Sequence, residues 1–253
     1  MKYLITRINF GTTFVSNLMT KLNIYPDTTR LFDSTAAICR NALERALEKG
    51  KTKLVVSGGT TPRPLFERLS KMPLNWSDVT IMPSDDRWVD ANHSASNELL
   101  IRTYLLQSEA ASARYLGLKT AHETPFDAEQ TLNQTLVSEN LSAAISVVGM
   151  GPDGHFASLF PSTEQVQSAL DLKKDHWVSA IDATGCPVAG DYTQRMSLTL
   201  SAILNSDRIV LLFTGNEKLA LVRQILNDAK PDIDLPVSYL LLQERTPVDI
   251  CCC

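Results

Sequence analysis

The chain has 253 residues, a net charge of −4 at pH 7, and 44% hydrophobic and 21% charged residues. That length and apolar share support a sizeable buried core and exclude a disordered chain. The acidic balance excludes nucleic-acid binding through bulk positive charge, and no run of about 18 apolar residues is present to span a membrane.

In chain order, residues 1–23 read as an N-terminal extension. They carry Lys2, Arg7 and Lys21 with no acid, as an organellar transit peptide does, but hold a single arginine. Cytoplasmic localisation is therefore expected, with an organelle as the alternative. The first helix is expected from Asp33 or Ser34 to Gly50, with Ile38, Ala42, Leu43, Ala46 and Leu47 on its apolar face. Strand Lys53–Val56 runs into Ser57-Gly58-Gly59, and Pro62 and Pro64 open a helix over Leu65–Leu69. Strand Val79–Met82, helix Asn97–Leu106, strand Tyr115–Leu116, helix Phe126–Val137 and strand Ala144–Val148 follow. Further strands are expected at Trp177–Val178, Met196–Leu200, Ile209–Phe213 and Val237–Leu241, with a helix over Asn216–Asn227 between the last two. Asp182–Gln194 reads as a surface loop.

Alternating strands and helices of this kind specify an α/β fold with a doubly wound, mainly parallel sheet and helices on both faces. A single domain over residues 24–247 is expected. Cys39 and Cys186 stand alone and Cys251, Cys252 and Cys253 end the chain, with no CxxC pair and no zinc spacing around the four histidines. Residues 248–253 thus read as a frayed, Cys-rich tail outside the fold.

Only 11 residues are glycine, below the usual share of about 7%. Five of them fall in two clusters. Ser57-Gly58-Gly59-Thr60-Thr61-Pro62 is a strand end, a glycine turn, two hydroxyls and a helix start. Two readings stand for it: a phosphate cradle of backbone N–H groups, or a tight turn with a hydroxyl cap. Lacking the GK[ST] ending, it does not imply ATP or GTP.

Gly149-Met150-Gly151-Pro152-Asp153-Gly154 matches GxGxxG after a strand. As a dinucleotide loop, however, it would put the Asp153 carboxylate beside the pyrophosphate, and His155 with Pro152 and Pro161 does not suit a long helix starting there. The turn instead presents Asp153 and His155 at a strand's carboxyl end, as a carboxylate–imidazole general-base pair. Ser84-Asp85-Asp86-Arg87 also follows a strand; Arg87 can grip a phosphate or sugar oxygen, or the cluster is a solvated charged surface. Arg195 and Lys218 add positive charge if they face the same site. No GxSxG or HExxH is present, and His93, His122 and His176 receive no role.

In combination these segments resemble the 6-phosphogluconolactonase family. The resemblance rests on the Ser57–Pro62 segment, on Asp85-Asp86-Arg87-Trp88-Val89 with Ser96-Asn97 behind it, and on the block from Gly149 to Pro161. Arg195–Thr199 and Gly215–Lys218 resemble later blocks, so the match runs over about residues 24–242. Asp86 stands where the family usually has Glu, and the loop before Arg195 has fewer prolines than usual.

The resemblance implies a Rossmann-like fold and hydrolysis of 6-phospho-D-glucono-1,5-lactone in the pentose phosphate pathway, without metal or cofactor. Gly58, Gly59, Thr60, Thr61, Asp85, Arg87, Arg195 and Lys218 would hold the substrate, and His155, oriented by Asp153, would activate water. The implied partner is the sugar phosphate alone, for a monomer or weak homodimer that engages no nucleic acid or membrane. Two competing readings are an amino-sugar-phosphate isomerase or deaminase with Asp85 as base, and a non-catalytic sugar-phosphate sensor.

Overall fold

The computed structural model describes residues 4–8, 12–16 and 19–253. It begins with β1 (Leu4–Ile8) and β2 (Thr12–Ser16), antiparallel to each other, and β2 pairs antiparallel with β3 (Thr20–Ile24). Helix α1 (Thr28–Leu47) starts several residues before the expected Asp33. Asp27 is its cap, accepting from Arg30 N at 2.8 Å, and Leu31 and Phe32 already belong to its buried face. After β4 (Thr52–Val56), α2 (Arg63–Leu69), β5 (Val79–Pro83) and β6 (Asp85–Arg87) come α3 (Asn97–Tyr104) and β7 (Arg114–Tyr115). Helix α4 (Pro125–Ser138) opens on a reciprocal capping box between Thr124 and Asp127.

The second half holds β8 (Ile145–Val148), α5 (Val166–Leu170), β9 (Val178–Asp182), β10 (Gln194–Leu198) and α6 (Leu200–Leu204). It ends with β11 (Ile209–Phe213), α7 (Asn216–Asp228), α8 (Val237–Leu242) and β12 (Val248–Cys252). The main sheet runs β1-β2-β3-β12-β11-β8-β4-β5-β7, with all pairings from β3 to β7 parallel. A small antiparallel sheet, β6-β10-β9, stands beside it.

The strands' side chains alternate between two cores, as pleating requires. Leu54 and Val56 of β4 and Val210 and Leu212 of β11 pack with Leu43 of α1, Phe66 of α2 and Ile101 of α3. Val55, Leu211 and Phe213 face the other way, toward Leu132 of α4, Val222 of α7 and Leu240 of α8. Helices therefore cover both faces, the doubly wound arrangement expected.

Three expectations are corrected. Val237–Leu241 is helix α8, not a strand; its buried Val237, Leu240 and Leu241 have i, i+3, i+4 spacing. The supposed Cys-rich tail is β12, held between β3 and β11 with Cys251 and Cys252 fully buried. Cysteine serves here as a small apolar side chain, and burial drives the Cys251 thiol up to about 12. The expected extension over residues 1–23 lies partly outside the described residues, but its last part belongs to β3, a member of the parallel array.

Because β12 closes two parallel ladders, deleting residues 248–253 opens both. The expected result is loss of the cooperative thermal transition in circular dichroism, since the disruption approaches a domain's whole stability of about 5–15 kcal/mol. Ile250→Ala, fully buried in β12, should lower the unfolding free energy by about 2–5 kcal/mol in denaturant titration.

Candidate functional site

Strands β4 and β8 are neighbours whose chain connections leave in opposite directions, β4 toward β5 and β8 toward β11. Their carboxyl ends thus bound a crevice with no crossover above it, the place where open α/β sheets bind ligands. A cleft of about 270 Å³ lies there. Its walls are the loop Ser57–Thr61 after β4, Asp85 and Arg87 on β6, His155 after β8, Arg195 on β10 and Lys218 in the first turn of α7. Every sequence-derived candidate lines this cleft except Asp153, which stands behind His155.

His155 Nδ1 donates to Asp153 Oδ1 at 2.6 Å, so Nε2 is the ring's remaining basic position. Burial works to raise the Asp153 pKa, but the hydrogen bonds from His155 and its electrostatic attraction prevail and hold it below the usual carboxylate value. Gly151 explains part of the glycine cluster. A Cβ there would fall 2.2 Å from the His155 ring and 2.4 Å from Asp153 Oδ1. The other side of the imidazole meets Phe160, with ring centroids 4.4 Å apart.

The two acidic residues before Arg87 separate into different roles. Asp86 faces away from the cleft and caps α3, accepting from Asn97 N at 2.7 Å, Glu98 N at 3.1 Å and Ser96 Oγ at 3.2 Å. Burial lifts its pKa to about 6. Asp85 reaches the cleft wall, but Ser84 Oγ donates to its Oδ1 at 2.8 Å and Ser158 Oγ to its Oδ2 at 2.5 Å. A base for a carbon-bound proton, as an isomerase needs, would have to act from that double engagement.

Arg87 and Arg195 stand directly opposite each other in the β6–β10 ladder. Arg195 is buried, which lowers its pKa to about 10. Burial also lowers the pKa of Lys218, with nearby Asp153 opposing the shift. Cationic groups so placed favour an anion that restores what burial removes.

Asn97 was legible only as part of the resemblance, yet it joins the site. Its Oδ1 accepts from Arg87 Nη1 at 2.8 Å and its Nδ2 donates to the Asp85 carbonyl at 2.7 Å. It also accounts for Gly58, where a Cβ would overlap Asn97 Oδ1 at 1.8 Å. Gly59 has a φ of +89°, the left-handed region. Among the described residues, the amides of Gly58 to Thr61 donate to no protein acceptor. Ser158, Phe160 and Val188 escaped sequence reasoning as separate contributors, because burial and cleft contact have no local spacing signal.

Two tests follow. Gly151→Ala should displace the imidazole from Asp153, so the downfield Nδ1–H proton resonance disappears while circular dichroism is unchanged. For Asp86, the raised pKa means the folded protein binds a proton between about pH 4 and 6 that the unfolded chain does not. The stability advantage of wild type over Asp86→Asn should therefore be largest at low pH, fall as pH rises through about 6, and level off above it, in urea titrations across that range.

The sequence from residue 26 to 248 matches the family model described as glucosamine-6-phosphate isomerases/6-phosphogluconolactonase. A 6-phosphogluconolactonase of Caulobacter vibrioides is 37% identical over 91% of this chain and 96% of its own length. One from Pseudomonas putida is 35% identical over 81% of each chain. The crystal structure of a 6-phosphogluconolactonase from Shewanella baltica superposes with a TM-score of 0.79 at 36% identity, covering 94% of this chain and 99% of that one. A doubly wound parallel sheet, the motif blocks and this similarity along nearly the whole length agree: the chain belongs to the glucosamine-6-phosphate isomerase/6-phosphogluconolactonase family, on its 6-phosphogluconolactonase side.

Proposed function

We propose that the chain hydrolyses 6-phospho-D-glucono-1,5-lactone to 6-phospho-D-gluconate, with His155 as general base. The observation that carries this reading is the 2.6 Å His155–Asp153 pair in a cleft whose other walls bear Arg87, Arg195 and Lys218. A lactone with a phosphate tail needs these two things together: a proton acceptor for water at the ester carbon and positive charge for the dianion.

His155 Nε2 takes a proton from water as its oxygen attacks C1 and the carbonyl oxygen becomes an oxyanion. Asp153 holds the tautomer and stabilises the imidazolium. When the oxyanion collapses, the C1–O5 bond breaks and His155 returns the proton to O5, leaving an open-chain hydroxyl and a carboxylic acid that ionises in water. The phosphate is held by the free amides of Gly58 to Thr61, the hydroxyls of Thr60 and Thr61, and the three cations. Asp85, engaged by two serine hydroxyls, keeps the neighbouring guanidiniums in place. Base catalysis of this kind is worth about 10²–10⁴-fold, and phosphate anchoring supplies positioning.

With freshly prepared lactone, His155→Ala should lower kcat by about 10²–10⁴-fold with KM little changed; near wild-type kcat overturns the assignment of the base. Lys218→Ala should mainly raise KM, by about tenfold, as expected for a charge-assisted contact of roughly 1.5 kcal/mol. Ammonia release from glucosamine 6-phosphate, with no lactone turnover, would establish the deaminase reading instead.

A further inference from the structure

On the rim of the cleft, two separate loops hold the two arginines through backbone carbonyls. Arg195 Nε donates to Tyr192 O at 2.7 Å and its Nη2 to Ala189 O at 2.6 Å. Both carbonyls lie in the loop of residues 183–193 between β9 and β10. Arg87 Nη1 donates to Ala95 O at 3.3 Å, in the loop of residues 88–96 between β6 and α3. The spacing of the two guanidiniums at their tips thus depends on how these loops are joined.

They are joined by a pair of rings. Tyr192 Oη and His93 Nε2 are 3.2 Å apart, and the ring centroids lie 4.9 Å apart in an edge-on arrangement at 70°. His93 Nδ1 accepts the Ala95 N–H at 3.1 Å. The neutral imidazole therefore carries its proton on Nε2 and donates it to the tyrosine hydroxyl. One ring is bonded to the residue whose carbonyl holds Arg87, and the other belongs to the residue whose carbonyl holds Arg195. The need for such a tie is electrostatic: Arg87 and Arg195 face each other across the ladder, where like charges are destabilising.

We propose that His93 and Tyr192 form a clasp that fixes the separation of Arg87 and Arg195, and so sets the affinity of the cleft for the anionic group of a phosphorylated ligand. Both act as positioning residues. The proposal rests on the reading above, in which these arginines receive the substrate's phosphate. Tyr192 is exposed and His93 half-buried, so substitutions there do not disturb the core.

The test compares Tyr192→Phe, His93→Ala, the double variant and His93→Gln, whose amide can still donate to the tyrosine. Calorimetry reads Kd for 6-phosphogluconate and for inorganic phosphate, and lactone kinetics read KM and kcat. Each single loss should raise Kd and KM about two- to tenfold, as for one net hydrogen bond, with kcat within twofold and Tm within about 2 °C. The double variant should be no weaker than the weaker single variant, and His93→Gln should recover most of the affinity. Wild-type Kd in Tyr192→Phe, additive losses in the double variant, or a fall in kcat at constant KM would each overturn the clasp. If the wild type binds both probes but does not turn over the lactone, the lactonase reading fails while the Kd values still decide the clasp. A wild type that binds neither probe overturns both.

Discussion

The divergence of the chain between β4 and β8 is the constraint from which the rest follows. All strands from β3 to β7 run parallel, so their carboxyl ends emerge on one side of the sheet. Where β4 and β8 part, no connection covers that side. The loop after β4, the Asp85–Arg87 strand after β5, the Asp153–His155 turn after β8 and the start of α7 after β11 converge there. The small sheet adds Arg195 by pairing β10 with β6, an interaction between segments far apart in sequence.

Gathering three cations at one half-buried site is unfavourable unless each has a partner. Arg195 engages two loop carbonyls through Nε and Nη2, Arg87 engages Asn97 and Ala95 through Nη1 alone, and Lys218 lies near Asp153. Asp85 lies among them, itself fixed by Ser84 and Ser158. Burial still lowers the pKa of Arg195 and of Lys218, so the cleft presents a preformed positive field that favours anions as a class. The glycines serve the same economy of space. Gly151 makes room for the imidazole–carboxylate pair, and Gly58 makes room for Asn97, the side chain that aims Arg87. Gly58 is thus required by a neighbouring side chain before any ligand is considered.

Much of the site was legible because its parts are local. Asp153 and His155 are two residues apart on one glycine turn, and Gly58 to Thr61 follow a strand directly. The division of labour between Asp85 and Asp86 was not legible, because it depends on α3 returning its first amides to Asp86. The clasp was equally invisible, since His93 and Tyr192 are 99 residues apart. The expected strand at Val237–Leu241 failed for a related reason: a short apolar run fits either a strand or a buried helix turn, and only its neighbours choose.

By itself, then, the amino-acid order determined the alternation of strand and helix, the turns at the strand ends and the chemical groups those turns carry. Each depends on backbone preferences and side chains within a few residues. Tertiary structure alone decided that Cys251 and Cys252 fill a central strand, that β3 belongs to the sheet, and that Arg195 meets Arg87. Those outcomes come from burial and cross-strand pairing between distant segments, and nothing in the local sequence of either partner encodes the other's position.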